Sequence, residues 1–381
     1  MTAPKLRFKE FDGDWTLQNL GDSFSLISGY AFPSSSSVDV GARWLKIADV
    51  GIQEMTPNNP SYLPLEYLDK YSQFIVSKND YVIALTRPIL NKKLKIAKVG
   101  ELYDGALLNQ RVAKIYSKTK DLDFIYSLLQ KSKTVEELEN SIAGTDPPNL
   151  SLNDVKEIKL GFPSKEEQMK IASFLSAVDE KISQLTRKHQ LLSQYKQGMM
   201  QKLFSQQIRF KADDGSEFEE WEILKFKDVI TIKYGKDHKK LKDGNIPVLG
   251  TGGIMRYVES YLYDGESILI GRKGTIDKPQ FISGKFWTVD TLFYTEIGEK
   301  IRPKFAFQQL LLVNWLNLNE ATGVPSLNTT SIGNIELKVP CLEEQTKIAN
   351  FLSAIDQKIE VVAQQIEQAK QWKKGLLQQM F

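Results

Sequence analysis

The stretch that decides the fold occurs twice in the chain. Residues 166–204 read EEQMKIASFLSAVDEKISQLTRKHQLLSQYKQGMMQKLF, and residues 343–381 read EEQTKIANFLSAIDQKIEVVAQQIEQAKQWKKGLLQQMF. The second copy lies 177 residues further along (343 minus 166), and the two copies align over their whole length without a gap. A repeat with so long a period indicates two domain-sized units rather than a solenoid.

Both copies are predicted to be long helices that pair with each other as an antiparallel coiled coil. Their apolar residues recur at alternating steps of four and three, which is the heptad pattern of a coiled-coil seam. A homodimeric rod is the alternative, but pairing within the chain is favoured because one chain already carries both halves of the seam. The predicted seam comprises Ile171, Leu175, Val178, Ile182 and Leu185 in the first copy and Ile348, Leu352, Ile355, Ile359 and Val362 in the second.

Polar residues interrupt this seam at repeat-equivalent positions. Lys196 and Lys373 align with each other, and polar side chains in a seam can fix its register at a cost in stability. Ser164 and Glu167 fit a capping box, so the first helix is predicted to begin there. A helix of this length spans roughly 58 Å at 1.5 Å per residue.

The two copies divide the chain into four predicted segments. These are a first body at 1–163, a central repeat helix at 164–207, a second body at 208–340 and a C-terminal repeat helix at 341–381. The ends of the two bodies match, whereas their interiors are unlike in sequence. The matching residues are Thr145, Pro148, Leu150, Ile158, Leu160 and Pro163 in the first body and Thr322, Pro325, Leu327, Ile335, Leu337 and Pro340 in the second.

The bodies are predicted to be mixed in secondary structure. Apolar runs at 81–85 and 267–270 follow turn residues and predict strands, while 121–131 and 303–316 predict helices. The expected fold class is α+β: two mixed α/β bodies separated by two long helices that form an antiparallel coiled coil, with a pseudo-two-fold internal repeat.

Composition excludes several classes of protein. The 50 basic and 47 acidic residues give a net charge of +3, so any nucleic-acid surface has to be a local patch. One cysteine excludes an internal disulfide framework, and two histidines are too few for most metal or catalytic sites. No apolar run has the length of a membrane span, and the N-terminus lacks the apolar core of a signal peptide. The expected compartment is the cytoplasm, with no membrane partner.

Basic runs interpreted as loops indicate where the bodies contact DNA. Residues 86–98 carry five basic residues and no acid, and residues 225–242 carry seven lysines against two aspartates. Arg can bond guanine bidentately, and Asn or Gln can do so with adenine. Solvated surface is the other interpretation of any single run. The predicted DNA-binding residues are Tyr30, Arg87, Asn91, Lys92, Lys93, Gln110, Arg111, Lys233, Tyr234, Lys236, His238, Lys239, Lys240, Arg272 and Lys273.

The paired EEQ-x-KIA-x-FLSA-x-D-x-KI segments and their Thr-x-x-Pro-x-Leu lead-ins resemble the DNA-specificity subunits of type I restriction–modification enzymes. Residues 29–32, 109–111 and 270–274 look like further family features. The resemblance implies that each body is a target recognition domain reading one half of an asymmetric, interrupted site in double-stranded DNA. It also implies that the helices set the spacing and hold two methyltransferase subunits and the restriction or translocase subunits.

Two other classes of function remain in view. The Asp146-Pro147-Pro148-Asn149 stretch suggests an adenine methyltransferase, but Asn149 stands where that chemistry needs an aromatic residue, and no Gly-rich cofactor loop is evident. A coiled-coil adaptor whose bodies bind proteins instead of DNA is the stronger alternative. The expectation is therefore a chain without catalytic residues, cofactor or metal, which confers specificity on partner adenine-N6 methyltransferase and endonuclease subunits.

Overall fold

The computed structural model describes residues 4–57, 60–142, 147–151, 153 and 156–381. The chain forms two compact units, Met1–Leu185 with Gln365–Phe381 and Thr186–Gln364. Each unit therefore combines one body with part of each repeat helix. Thr145 and Asp146, which figure in the lead-in and in the methyltransferase alternative, lie outside the described residues.

The first body is built mainly from short strands, and it leads into the first repeat helix. Its helices are α1 Leu20–Ser23, α2 Tyr67–Lys70, α3 Leu122–Leu128 and α4 Ser132–Ser141, and the repeat helix is α5 Lys165–Phe204; short 3-10 turns lie at Ser34–Ser36, Ile47–Asp49, Ser72–Phe74 and Glu101–Tyr103. Its strands are β1 Thr16–Asn19, β2 Ser25–Ser28, β3 Ala42–Leu45, β4 Tyr62–Leu63, β5 Tyr81–Ala84, β6 Ile89–Leu90, β7 Lys93–Leu94, β8 Ile96–Lys98, β9 Leu107–Leu108, β10 Val112–Tyr116 and β11 Lys159–Phe162.

The second body follows the same plan and leads into the second repeat helix. Its helices are α6 Phe226–Val229, α7 Pro303–Leu310 and α8 Thr329–Gly333, with a 3-10 turn at Trp315–Leu318, and the repeat helix is α9 Leu342–Gln379. Its strands are β12 Glu222–Lys225, β13 Ile230–Tyr234, β14 Asp243–Gly250, β15 Gly253–Val258, β16 Tyr263–Asp264, β17 Ser267–Gly271, β18 Gln280–Ile282, β19 Lys285–Thr288, β20 Leu292–Ile297 and β21 Glu336–Val339.

The predicted strands β5 and β17 and the predicted helices α3 and α7 are confirmed, although both helices end earlier than the sequence pattern indicated. The interpretation of the two basic runs as loops is only partly confirmed, because residues 86–88, 91–92 and 235–242 lie outside helices and strands and the rest largely do not. Residues 86–98 contain the hairpin of β6 and β7 and all of β8, and residues 225–242 contain α6 and β13. Several apolar residues of both runs are buried while most of the lysines are exposed, so each run has a buried side and a solvated side.

The two bodies share one sheet topology despite their unlike sequences. The central sheet has the order β2-β10-β5-β8 in the first body and β13-β20-β17-β18 in the second. A second sheet, β4-β3-β9 or β15-β14-β19-β16, includes a parallel pair in each body. The first strand of each body pairs with its last, β1 with β11 and β12 with β21.

The repeat helices run antiparallel, as the sequence predicted. The first unit contains the beginning of α5 and the end of α9, and the second unit contains the end of α5 and the beginning of α9. In each unit, therefore, the beginning of one repeat helix packs with the end of the other. Asp179 pairs with Lys373 at 2.6 Å in the first unit, and Asp356 pairs with Lys196 at 2.6 Å in the second. Among the predicted seam residues, Ile182 and Ile359 are half-buried, and the other eight are buried.

The apolar stripe of each repeat helix also packs against a body, which the heptad pattern did not predict. Ile171 and Leu175 belong to the same apolar cluster as Trp15 and Phe124 of the first body. Ile348, Leu352 and Ile355 cluster with core residues of the second body such as Phe226 and Phe305. The stripe is wide enough to face two neighbours, so each unit is a three-way packing of two helices and a body.

A buried carboxylate at the start of each repeat helix anchors the helix to its body. Glu167 accepts two hydrogen bonds of 2.7 Å from Arg7, and a third of 3.4 Å from the indole of Trp15. Glu344 accepts the equivalent bonds from Arg209 at 3.1 and 2.8 Å and from Trp221 at 2.9 Å. Donating these hydrogen bonds to Glu167 and to Glu344 raises the pKa of Arg7 and of Arg209.

Only half of the predicted capping box is present. The hydroxyl of Ser164 accepts a hydrogen bond from the Glu167 backbone at 3.3 Å, as predicted. The Glu167 carboxylate does not complete the box, because it is committed to Arg7. In the described ranges, no helix is both long enough and apolar enough to cross a membrane.

Candidate nucleic-acid interface

A tight turn between β9 and β10 presents two of the predicted contact residues of the first body. The Gln110 backbone N–H donates to the Tyr30 carbonyl at 3.1 Å, and the Arg111 carbonyl accepts from Leu85 at 2.8 Å. The side chain of Asn109 caps the turn by accepting from the Arg111 backbone N–H at 3.1 Å. The side chains of Gln110 and Arg111 are thus held on a fixed backbone and are exposed.

The same turn forms one wall of a surface recess of about 410 Å³ in the first body. Thr86 and Asn149 also line the recess, and the Thr86 hydroxyl donates to the Asn149 side-chain carbonyl at 2.6 Å. Asn149 also donates to the Pro147 carbonyl at 2.9 Å. These bonds hold Asn149 as part of the wall, which accounts for its position without any role in methyl transfer.

The basic turn after β5 lies next to this recess and leads into a hairpin. Arg87 has a left-handed backbone (φ 47°), and its N–H donates to the Pro148 carbonyl at 2.7 Å. Asn91 and Lys92 form the two-residue tip between β6 and β7, and both have positive φ, as in a type I′ turn. Within the described residues, no ion pair involves Arg87, Lys92 or Lys93, and all three are exposed.

Tyr30 is embedded in an aromatic cluster and is less free than the sequence suggested. Its ring centre lies 4.7 Å from Tyr71, 5.1 Å from Phe32 and 5.6 Å from Phe74. The residue is 41% exposed, so only part of its ring can reach a ligand.

In the second body, the turn after β17 corresponds to the Arg87 turn. The Gly274 N–H donates to the Pro325 carbonyl at 2.9 Å, as Arg87 does to Pro148. Arg272 donates to the backbone carbonyl of Asp290 at 3.2 Å, and its guanidinium lies 5.5 Å from the ring centre of Tyr234. Lys273 follows with an exposed side chain. Arg272, Lys273 and Tyr234 are therefore grouped at one place in the second body.

The remaining predicted residues of the second body fall into two environments. Lys233 lies on β13 and pairs with Glu296 at 3.1 Å, so its charge is partly offset. The others lie after that strand, where the Lys236 carbonyl accepts a 2.9 Å bond from Trp287 and Asp237 accepts from the Lys239 backbone N–H at 3.0 Å. Lys236, Lys239 and Lys240 are exposed, and none of them forms an ion pair within the part of the chain that the structure describes.

His238 is half-buried among these lysines. Its Nδ1 atom is buried, and it finds no hydrogen-bond partner among the described residues. The ring is thus less available to a ligand than the neighbouring lysines, although it was predicted from the same run.

Two residues outside the predicted set, Asp290 and Thr291, lie at the same structural position as Gln110 and Arg111. The Thr291 carbonyl accepts from Arg272 at 2.8 Å, just as the Arg111 carbonyl accepts from Leu85. Asp290 and Thr291 therefore occupy the second body's version of the turn. The available signal was a short polar stretch between apolar residues: two residues between Val289 and Leu292 here, and three between Leu108 and Val112 in the first body.

The chain belongs to the family described as the type I restriction modification DNA specificity domain, whose model matches residues 13–193 and 218–371. The two matched segments correspond to the two halves of the internal repeat. The methyltransferase alternative has no support from this match.

Several relatives of the chain are named specificity subunits of type I restriction enzymes. The chain is 31% identical over 209 residues to the type I restriction enzyme MjaVIII specificity subunit of Methanocaldococcus jannaschii, an alignment that covers 54% of this chain and 49% of that protein. It is 27% identical over 190 residues to the EcoAI specificity subunit of Escherichia coli, covering 49% of this chain and 32% of that protein. The chain thus matches half or less of the length of these two relatives. A putative MjaX specificity subunit aligns over 98% of this chain and 94% of its own length at 24% identity.

Two solved structures share the fold. The S subunit of a type I restriction-modification system from M. genitalium is 18% identical, with a TM-score of 0.69 over 100% of this chain and 99% of that one. A chain from a structural study of complex assembly and conformational transition of the type I R-M system is 17% identical, with a TM-score of 0.54 and 97% coverage of both chains. At these identities the likeness concerns the fold.

Proposed function

We propose that this chain reads a bipartite, asymmetric site in double-stranded DNA, with one body on each half-site. The observation that carries the proposal is the duplicated scaffold with unlike residues at equivalent turns. Two copies of one backbone arrangement suit one physical task, and different side chains at the same turns suit two different targets. The exposed cations at these turns supply phosphate attraction, and amide and guanidinium groups can read base edges.

The coiled coil is proposed to set the gap between the half-sites. Helix α5 has 40 residues and therefore a length of about 60 Å, more than one turn of DNA. The paired bonds of Asp179 with Lys373 and of Asp356 with Lys196 support a fixed register between the helices. A stiff connection of this kind makes the second half-site effectively intramolecular and multiplies specificity.

The chain is proposed to be non-catalytic and to act with methyltransferase and restriction subunits in the cytoplasm. Family membership supports this role, because its relatives are specificity subunits of such enzymes. The partner would flip the target adenine and transfer the methyl group, while this chain supplies orientation. Residues 1–163 and 208–340 are proposed to be the two target recognition domains.

A salt titration separates DNA reading from the protein-adaptor alternative. The chain, assembled with the methyltransferase subunits of its host, is titrated with a duplex that carries the sequence methylated in that host. The affinity should fall steeply with salt, because bound cations release counterions from the phosphates. For six phosphate contacts, the affinity should fall about 10³-fold between 50 and 200 mM salt. If the assembly does not bind DNA, or binds it equally well across roughly that range of salt, the protein-adaptor alternative is favoured.

Lengthening both helices tests the spacing role. One heptad is inserted after Gln184 in α5 and another after Gln368 in α9; these positions face each other if the register of Asp179 and Lys373 continues for five residues. Seven residues add roughly 10 Å, or about three base pairs. Selection from a random duplex pool should return the same half-sites with a longer gap. Replacing residues 183–189 by the same heptad, with no change in length, is the matched control, and an unchanged gap in the lengthened variant contradicts the ruler.

A further inference from the structure

Both bodies form the same turn directly after the second strand of the parallel strand pair, β9 in the first body and β19 in the second. In the first body Asn109 donates its N–H to Leu45 at 3.0 Å, and in the second Val289 donates to Leu249 at 3.1 Å. The N–H three residues further on then closes the turn in each body, from Val112 to Asn109 at 2.9 Å and from Leu292 to Val289 at 3.0 Å. The backbone between these bonds is therefore equivalent, and it presents Gln110 with Arg111 in one body and Asp290 with Thr291 in the other.

The chemistry at this position differs sharply between the bodies. Gln110 and Arg111 offer an amide and a guanidinium at the edge of the 410 Å³ recess. Asp290 offers a carboxylate that is exposed and makes no hydrogen bond or ion pair within the described ranges. Arg272 lies close to Asp290 but donates to its backbone carbonyl, so within the described ranges the carboxylate oxygens keep their acceptor positions free.

A free carboxylate on a surface that meets phosphates is repelled unless it has a donor to accept from. Among base edges in the major groove, the amino group of cytosine is the donor that Asp and Glu bond, whereas Arg bonds guanine and Gln bonds adenine. We infer that the two equivalent turns are base-reading elements of opposite polarity, with Gln110 and Arg111 reading purines and Asp290 reading the amino group of a cytosine. The inference rests on the proposed function and assigns it to particular side chains.

The test is a selection of binding sites with the full chain, assembled with the methyltransferase subunits of its host. The variants are Asp290→Ala and Asp290→Asn, and the probe is a pool of randomised duplexes. Asp290→Ala should lose the preference for cytosine at one position of one half-site by roughly 5- to 100-fold. Asp290→Asn should shift that position toward adenine, because an amide pairs with adenine bidentately. The other positions should keep their preferences.

The first body supplies the reciprocal arm. Arg111→Ala should lose the preference for guanine at one position of the other half-site only. Gln110→Ala should likewise lose a preference for adenine in that half-site only. Asp264→Ala is the matched control for Asp290→Ala, because it removes an exposed carboxylate from the same body. Asp264 lies on β16, beside Lys285 in the neighbouring strand β19, at the end of β19 that is far from Asp290. The control should select the same site as the unaltered chain.

Three outcomes decide the matter. A position-specific loss with Asp290→Ala and a switch with Asp290→Asn establish the inference. Unchanged base preferences in both variants, or a uniform loss of affinity for every sequence, overturn it while the bipartite site of the unaltered chain still stands. If the unaltered assembly selects no sequence at all, the proposed function itself fails.

Discussion

At the turn after the parallel strand pair, the first body carries Gln110 and Arg111 and the second carries Asp290 and Thr291, although both turns make the same backbone hydrogen bonds. At the foot of each repeat helix the opposite holds: Glu167 with Arg7 and Glu344 with Arg209 are chemically identical anchors. The bodies thus repeat what fixes the scaffold and vary what faces outward. The anchors hold a repeat helix to its body in both units, and the unlike turns support the proposal that the two bodies read different half-sites.

The anchors should give the largest effects, and equal ones. Removing the carboxylate in Glu167→Ala or Glu344→Ala leaves a guanidinium that is only 15% or 16% exposed without its counter-ion. Loss of one member of a buried pair costs about 3–5 kcal/mol, so each variant should destabilise its own unit by that amount. Hydrogen exchange resolved by mass spectrometry measures this unit by unit. The exposed neighbours, in Glu166→Ala and Glu343→Ala, are the controls, and clearly unequal losses would break the equivalence of the anchors.

The second prediction concerns two glycines that let the backbone approach the shared turn. A Cβ added to Gly29 would lie 2.1 Å from the Leu108 carbonyl oxygen, and one added to Gly235 would lie 2.0 Å from that of Val289. Gly29→Ala and Gly235→Ala should each cost about 2–3 kcal/mol, because backbone has to move. Thermal unfolding measures the loss. Gly198→Ala, where a Cβ meets nothing within 4 Å, is the control, and tolerance at either glycine would show that the two turns are not built alike.

The third prediction compares the coupling energies of the two ion pairs in the coiled-coil seam. Lys373 is 4% exposed and also lies 3.3 Å from Gln53 and 3.2 Å from Gln130, whereas Lys196 is 13% exposed. The deeper pair should show the larger coupling, about 2 kcal/mol for Asp179 with Lys373 against about 1 kcal/mol for Asp356 with Lys196. Double-mutant cycles with Asn and Met replacements measure both. Equal couplings would indicate that burial does not distinguish the pairs.

The smallest effect on stability should come from the residue with a left-handed backbone conformation in the turn after β5 and after β17. Gly274 has φ 90°, and its equivalent, Arg87, has φ 47°. Gly274→Ala should cost about 1 kcal/mol, because an L side chain disfavours that backbone region. Arg87→Gly should change stability by less than about 0.5 kcal/mol, since relief of strain is offset by the freer unfolded chain. Urea unfolding compares them, with Gly323→Ala as control; a costly Arg87→Gly would mean that the guanidinium has a structural partner.

Much of the architecture was predictable from the sequence because the repeat is nearly unchanged where it packs. Ile171, Leu175 and their equivalents keep an apolar heptad, and such a stripe dictates a long helix with a partner. Lys196 and Lys373 were recognisable as polar seam residues, but their aspartate partners were not predicted. That pairing depends on which turn of one helix faces which turn of the other.

The likeness of the two bodies was not predictable in the same way. Strands β5 and β17 were each predicted, yet nothing in their sequences indicated that they occupy the same place in two sheets with the same strand order. Backbone hydrogen bonds define that order, and many different side chains can satisfy them. For the same reason, a basic or amide side chain in a polar stretch predicted Arg111 and Gln110 as contact residues, whereas the acidic Asp290 was not predicted.

What the sequence alone determined is the paired helices and the division of the chain into two related halves, because an apolar heptad stripe that occurs twice in one chain favours pairing of its two copies. What only the tertiary structure decided is which side chains share a position in the two bodies. Equivalent places are set by backbone bonds between residues far apart in the chain, such as Leu85 with Arg111 and Arg272 with Thr291. Local sequence carries no record of those bonds, since the groups that make them are common to every residue but proline.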